Sequence, residues 1–282
     1  MIKIDNLTFN YPKQTNLFDG LNLQIKEGSI HGLLGKNGSG KTTLMKIIAG
    51  LRFPRKGSCQ AFGHETKHRS PDFLKEIYFV PEEFFTTPVS MKQFVAIYKG
   101  FYPNFSEQDL KKYITEFELP DNGNLASFSY GMKKKFLIAF GIATNCRVLI
   151  LDEPSNGLDI PSKSKLRKIL ASSINEDRSF IISTHQVRDI DQLIDPVLII
   201  EDGKVLFNYS LEEISEKLAL KVVEELPAVG VLHSEKTVGG YSILIEREEE
   251  ESYAMDIETL FNAVINNKEK IRAIFSDSNE KN

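Results

Sequence analysis

Short, nearly continuous apolar runs at Ile30–Leu34, Val148–Leu151 and Phe180–Ile182 have the composition of strands buried on both faces of a parallel sheet. Each ends in polar residues: Gly35-Lys36-Asn37, Asp152-Glu153-Pro154 and Ser183-Thr184-His185. The first run passes through a glycine-rich turn into a helix-like segment, Thr43–Gly50. Further strand-like runs, Ile2–Thr8, Leu21–Ile25 and Ser58–Phe62, flank that unit. From about Val89 to Asn145 the pattern becomes helical. Leu110, Tyr113, Ile114 and Phe117 recur at helical spacing, and Ser90 with Gln93 and Ser106 with Asp109 have the spacing of capping boxes. Beyond residue 210, Leu211–Leu218 reads as a short helix and Tyr241–Ile245 as an alternating strand. Ile257, Leu260, Phe261, Val264 and Ile265 then form one helical apolar stripe. The acidic run Glu246–Glu251 reads as a solvated strand end or loop, and Asp277–Asn282 as a disordered tail.

The turn after Ile30–Leu34 is Gly35-Lys36-Asn37-Gly38-Ser39-Gly40-Lys41-Thr42, a P-loop in its strand-to-helix context, with Thr43 opening the helix. Such a loop points successive backbone N–H groups inward, and the following helix adds its positive dipole end, so the segment is built to hold phosphate. Lys41 is placed to reach the β- and γ-phosphates and the Thr42 hydroxyl to ligate Mg²⁺. A P-loop alone admits kinases and helicases as well as other ATPases. The apolar run that ends in Asp152 and Glu153 narrows the choice. Its carboxyl end lies where open α/β sheets place ligands, with Asp152 as a metal ligand and Glu153 as general base for an attacking water.

The chain has 282 residues, 41% hydrophobic, enough for one large core and a small appendage. The longest apolar runs, Val197–Ile200 and Phe136–Ala143, fall short of the roughly 18 residues of a spanning helix. Met1–Asp5 lacks the charged-then-apolar order of a signal peptide, which places the chain in the cytoplasm. Cys59 and Cys146 have no metal-ligand spacing and read as buried thiols. A net charge of −4 argues against an extended nucleic-acid surface, despite basic clusters at Arg52–Lys56 and Lys133–Lys135.

Over roughly residues 1–210 the chain resembles the nucleotide-binding subunits of ABC transporters. Ser155-Asn156-Gly157-Leu158-Asp159 resembles that family's D-loop, which makes Asp159 a nucleotide-site candidate. His185 occupies the position of its switch histidine, inferred to contact the γ-phosphate and orient Glu153. Phe9-Asn10-Tyr11 resembles the A-loop, in which Tyr11 stacks on adenine; the alternative is that Tyr11 merely ends an edge strand. The fold implied is an α/β P-loop NTPase of ABC type. It combines an ATPase domain (1–210), an antiparallel β-subdomain, a helical subdomain inserted at about 86–145 and a small C-terminal αβ appendage (211–282).

Two segments depart from the family's pattern. The usual Leu-Ser-Gly-Gly-Gln signature is here Phe128-Ser129-Tyr130-Gly131-Met132, which keeps Ser129 to cap a helix and Gly131 for close backbone approach. Tyr130 stands for a glycine, which matters if that position needs a positive φ. Lys133–Lys135 either lends positive field to the phosphates or forms a solvated helix face. The second departure is Ile77–Glu83, which resembles the strand entering the Q-loop, with Glu82 in place of glutamine and a metal-ligand candidate. The aromatics Phe84-Phe85 and Phe101–Phe105 serve either an interface or the subdomain's own core.

The resemblance implies an ATPase that binds ATP and Mg²⁺. Ser129 and Gly131 would act on the ATP of a second subunit, in a homodimer or a heterodimer with a paralogue. It further implies a separate integral membrane permease as partner, a place on the cytoplasmic face of the membrane, and export of a drug-like molecule, peptide or lipid. ABC ATPases of DNA repair or translation are the alternative; the long coiled coils or tandem heads usual there are not evident.

Overall fold

The computed structural model describes residues 2–84, 88–247 and 255–276. A six-stranded sheet lies at its centre, in the order β10-β9-β3-β8-β7-β6. It comprises β3 (Ile30–Leu34), β6 (Ile77–Val80), β7 (Val148–Asp152), β8 (Ser179–Thr184), β9 (Val197–Glu201) and β10 (Lys204–Tyr209). All neighbours pair in parallel except β10, which runs antiparallel to β9. Strands β3, β7, β8 and β9 are buried at every residue, so the continuous apolar runs are strands covered on both faces. Register then fixes the chemistry. Leu34 pairs with Thr184, and Asp152 with Ser183, so the P-loop, the acidic pair and His185 leave the sheet at one edge.

Beside this sheet is an antiparallel one, in the order β2-β1-β4-β5, formed by β1 (Ile2–Phe9), β2 (Phe18–Ile25), β4 (Lys56–Ala61) and β5 (His64–Glu65). Ile2, Ile4, Leu7 and Phe9 alternate inward along β1. They share a core with α1 (Lys41–Ile48), whose Leu44, Met45, Ile47 and Ile48 are sealed between the two sheets. The helix that begins in the P-loop is therefore clamped from both sides. A single turn, α2 (Pro71–Leu74), starts with Ser70 as its cap.

The inserted helical region contains α3 (Met91–Tyr98), α4 (Glu107–Glu116) and α5 (Tyr130–Ala143). Ser90 and Gln93 form the full reciprocal capping box, whereas Ser106 accepts from the Asp109 amide as a simple cap. Phe136–Ala143 is buried on all sides because α5 packs against α4, β6 and β7 together. The aromatic stretch divides between its two expected uses. Tyr102 and Phe105 pack on Phe140, while Phe101 is 65% exposed. Phe85 lies outside the described residues. Between β7 and β8 the chain returns through α6 (Ile160–Ser173).

The C-terminal unit opens with α7 (Leu211–Lys217), held by a Ser210–Glu213 capping box. A three-stranded antiparallel sheet follows, in the order β11-β13-β12, made of β11 (Leu218–Val223), β12 (Val231–Thr237) and β13 (Gly240–Glu246). After it come α8 (Ile257–Asn266) and α9 (Lys268–Ser276). The expected stripe on α8 is buried at Ile257, Leu260, Val264 and Ile265. Strands β11 and β12 and helix α9 were not evident in the sequence. In α9, Phe275 packs its ring on Phe207 and Tyr209 of β10, which joins the unit's core to that of the central sheet. Glu246 ends β13. The rest of the acidic run after Arg247 and the expected tail fall outside the described residues. Among the described residues no helix is long and apolar enough to cross a membrane.

Candidate nucleotide site

Gly40, at φ +106°, precedes α1 where an added Cβ would stand 2.7 Å from the Phe18 ring. Glycine is required there both by backbone and by space. It offers no side-chain cap, so the first-turn N–H groups of α1 remain available to a ligand. Lys41 is nearly buried and folds back along the loop, donating to the Gly35 carbonyl at 2.7 Å and the Lys36 carbonyl at 3.2 Å. Burial pulls its pKa down, against the opposing field of Glu153, Asp152 and Glu82.

Thr42 Oγ1 donates to Asp152 Oδ2 at 2.8 Å, and Ser183 Oγ donates to Asp152 Oδ1 at 2.5 Å. The same serine oxygen accepts from the Glu153 amide at 3.0 Å. Ser183 thus holds both acidic residues across the β7–β8 pairing. Its two polar neighbours at the end of an apolar run, Thr184 and His185, were the sequence's signal for it. Glu153 itself sits at φ +48°, in the left-handed region, a conformation costing about 1–3 kcal/mol for a non-glycine residue. Its carboxylate is gripped twice by His185, with Nδ1 2.9 Å from Oε1 and the backbone amide 3.3 Å from Oε2. The His185 side chain is 40% exposed, with Nε2 3.5 Å from Gln186 Nε2.

Beside Lys41, Thr42, Thr43 and Glu153 a cavity of about 480 Å³ opens, lined also by Tyr11, Asn37, Gly38, Gly40 and Glu82. Tyr11 stands at its mouth, hydroxyl 2.9 Å from Thr43 Oγ1 and ring edge-on to Phe9. Ser39 is buried within the loop. The hydroxyl and carboxylate oxygens of Thr42, Asp152 and Glu82 suit a hard divalent cation such as Mg²⁺. Among the described residues no three His, Cys, Asp or Glu side chains converge as a cage. The donor set is therefore partial, as in Mg²⁺ sites completed by substrate phosphates and water. A neighbouring cleft of about 660 Å³ joins Gly35, Lys36, Asn37 and His185 to Phe261 and Asn262 of α8.

Ser129, Gly131 and Asp159 do not line the P-loop cavity. Ser129 caps α5 through the Met132 amide at 3.2 Å, and Asp159 caps α6 through the Ser162 amide at 2.8 Å. The signature nevertheless lies close to the segment that follows Glu153. A Cβ on Gly131 would lie 2.9 Å from the Gly157 carbonyl, because α5 begins directly over the loop that follows β7. Tyr130 is helical, so no positive φ is demanded of it. Its ring instead makes Gly157 obligatory, since a Cβ there would meet it at 2.8 Å with φ +78°. Lys133–Lys135 is not a uniform solvated face: Lys134 is fully buried, turned inward onto the Glu153 and Asn156 carbonyls. Asn156 donates to Glu82 Oε1 at 2.9 Å, a contact between two loops that no sequence spacing announced.

A family model described as "ABC transporter" matches residues 18–156. The chain is 32% identical to the lantibiotic transport ATP-binding protein SrtF of Streptococcus pyogenes, over 73% of this chain and 89% of that one. It is 28% identical to the bacitracin transport ATP-binding protein BcrA of Bacillus licheniformis, over 86% and 82% respectively. In fold it is similar to a solved ATP-binding subunit of an ABC transporter, at TM-score 0.67 and 24% identity over 76% of this chain and 91% of that one. It is likewise similar to a dimeric ATP-binding cassette bound to ADP and Pi, at TM-score 0.65 and 23% identity over 75% and 99%.

Proposed function

The chain belongs to the ABC transporter family as an ATP-binding subunit, and from that premise we propose that it hydrolyses ATP to drive a separate membrane permease. The observation that carries the hydrolytic reading is the double grip of His185 on the Glu153 carboxylate, next to the Thr42–Asp152 pair. Glu153 takes a proton from the attacking water, while His185 keeps its carboxylate aimed and meets the γ-phosphate. Lys41 turns from the loop carbonyls to the β- and γ-phosphates, and the P-loop amides of Gly35–Thr43 cradle them. Thr42, Asp152 and Glu82 hold Mg²⁺, which when bound supplies positive charge against the phosphate oxygens. Tyr11 stacks on the base, which selects ATP over GTP only modestly.

Ser129, Gly131 and Asp159 have no part in this cavity, and we assign them to the nucleotide of a second subunit. Two chains, identical or paralogous, then sandwich two ATP molecules. The permease docks on the groove of about 1090 Å³ between the core and the helical region, where Tyr98 and Phe101 are exposed. This places the chain on the cytoplasmic face of the membrane. The relatives named for lantibiotic and bacitracin transport support a peptide antibiotic or similar amphiphile as cargo, and export as the direction.

The test is tagged Glu153→Gln chain, purified with Mg·ATP from detergent-solubilised source cells and its partners identified by mass spectrometry. Retained ATP, loss of hydrolysis and a co-purified multi-span membrane protein are expected. Undiminished hydrolysis would remove Glu153 as the base. Recovery of soluble or nucleoprotein partners alone would move the chain to the non-transport ATPases.

A further inference from the structure

Lys134 is 0% exposed, in the first turns of α5, and its nearest hydrogen-bond acceptors are backbone carbonyls. Its Nζ donates to the Glu153 carbonyl at 2.5 Å and the Asn156 carbonyl at 3.3 Å, with the Tyr130 hydroxyl at 3.5 Å. An ammonium taken out of water loses several kcal/mol of hydration, so a chain that keeps one here must gain something specific. The first acceptor is the carbonyl of the residue held at φ +48°, and the second belongs to the loop that follows it. At its other end, Glu153 is fixed through its amide by Ser183, by Oγ at 3.0 Å and the carbonyl at 3.2 Å. A strained conformation persists only where its surroundings over-determine it, and Ser183 and Lys134 clamp the two peptide groups that define this one.

We propose that Lys134 is a positioning residue for hydrolysis, holding the Glu153 backbone in the left-handed conformation that aims its carboxylate at His185 and the attacking water. The inference rests on Glu153 being the base. Tyr130, one turn before Lys134, donates its hydroxyl to the Glu82 carbonyl at 2.5 Å and stacks on Phe84 at 5.1 Å, while Asn156 holds the Glu82 carboxylate. Tyr130 thus holds the Glu82 backbone, and Asn156 holds its side chain. Together they tie the helical region to the metal-side loop and, through Lys134, to the base. Burial pulls the Lys134 pKa down to about 8, with Glu82, Glu153 and Asp152 opposing the fall.

The decisive experiment compares Lys134→Met and Glu153→Gln in the full chain, singly and combined, by single-turnover hydrolysis of Mg·ATP and by binding of a fluorescent ATP analogue. Misplacing a catalytic group by about 1 Å costs on the order of 10²-fold in rate. Lys134→Met should therefore lose rate on that scale while nucleotide affinity changes less than about threefold. In the Glu153→Gln background the same substitution should have no further effect on rate, because its action passes through the carboxylate. An unchanged rate in Lys134→Met, with Glu153→Gln inactive, overturns the positioning role alone. A parallel loss of affinity, or a full additional loss in the double variant, overturns it in favour of a merely structural role. Undiminished hydrolysis by Glu153→Gln removes the base and the inference together. If Lys134→Met does not fold, Lys134→Gln, whose neutral amide keeps N–H donors, is read by the same criteria.

Discussion

At the carboxyl edge of the central sheet Lys41, Asp152, Glu153 and Ser183 are almost withdrawn from water, each tied to a partner on another element. The C-terminal unit is assembled the other way: its buried residues include Leu260, Ala263 and Phe275, with none of its described charged side chains fully buried. Where the two regions meet, α8 presents Glu258 to Arg188, in the turn just past His185, at 2.5 Å, and Lys268 of α9 pairs with Glu201, which also binds Lys36 of the P-loop at 3.0 Å. The comparison teaches that polar burial and apolar burial carry different consequences. Buried polar groups preorganise chemistry and make substitutions functional, whereas an apolar face makes them a matter of stability.

The sharpest break of that contrast is Lys41→Ala, which removes the phosphate-facing cation; affinity for ATP should fall about 10²-fold or more by calorimetry, with the melting temperature little changed. Unaltered affinity would remove the P-loop assignment. Leu260→Ala, in the centre of the α8 stripe, should behave oppositely. It should cost about 2–5 kcal/mol in denaturant unfolding while the folded fraction hydrolyses ATP at an unchanged rate. A fall in rate per folded molecule would mean that the C-terminal unit shapes the site.

A third test uses pH on the sheet itself. His31, buried in β3, the strand that runs into the P-loop, faces the Lys26 carbonyl through Nε2 at 3.0 Å, and a carbonyl can only accept. The ring is therefore the neutral tautomer with its proton on Nε2. Among the described residues Nδ1 has no hydrogen-bond partner. Burial lowers its pKa from 6.5 to about 4. Between those values the unfolded chain binds more protons than the folded one, so stability is complete above pH 6.5 and is lost as pH falls through about 4. His31→Gln keeps a donor for Lys26 and should flatten that stretch of the stability curve; an unchanged slope would assign the acid sensitivity elsewhere. The smallest effect is expected at the seam. Arg188 is 82% exposed, so Arg188→Ala should change stability by less than about 1 kcal/mol, and a larger change would make the seam a true joint.

Local features of this chain were legible without coordinates because they rest on neighbours in sequence. Continuous apolar runs identified β3, β7 and β8; the glycine-rich turn identified the start of α1; Ser90, with Gln93, announced α3; the stripe from Ile257 announced α8. The same reasoning singled out Lys41, Thr42, Asp152 and Glu153 from residue type and position at the loop and strand end, whereas His185 was singled out by the family resemblance. Helix α9 and strands β11 and β12 escaped it, since β12 is only partly buried along its length and shows no clean alternation. What only the tertiary structure decided are contacts set by strand register and helix docking. Ser183 meets Asp152 from 31 residues away, Asn156 meets Glu82 from 74, and Lys134 in an apparently solvated basic run turns inward under Glu153. Periodicity records which face of a segment avoids water, but the partner a buried polar group finds depends on where the whole sheet places it.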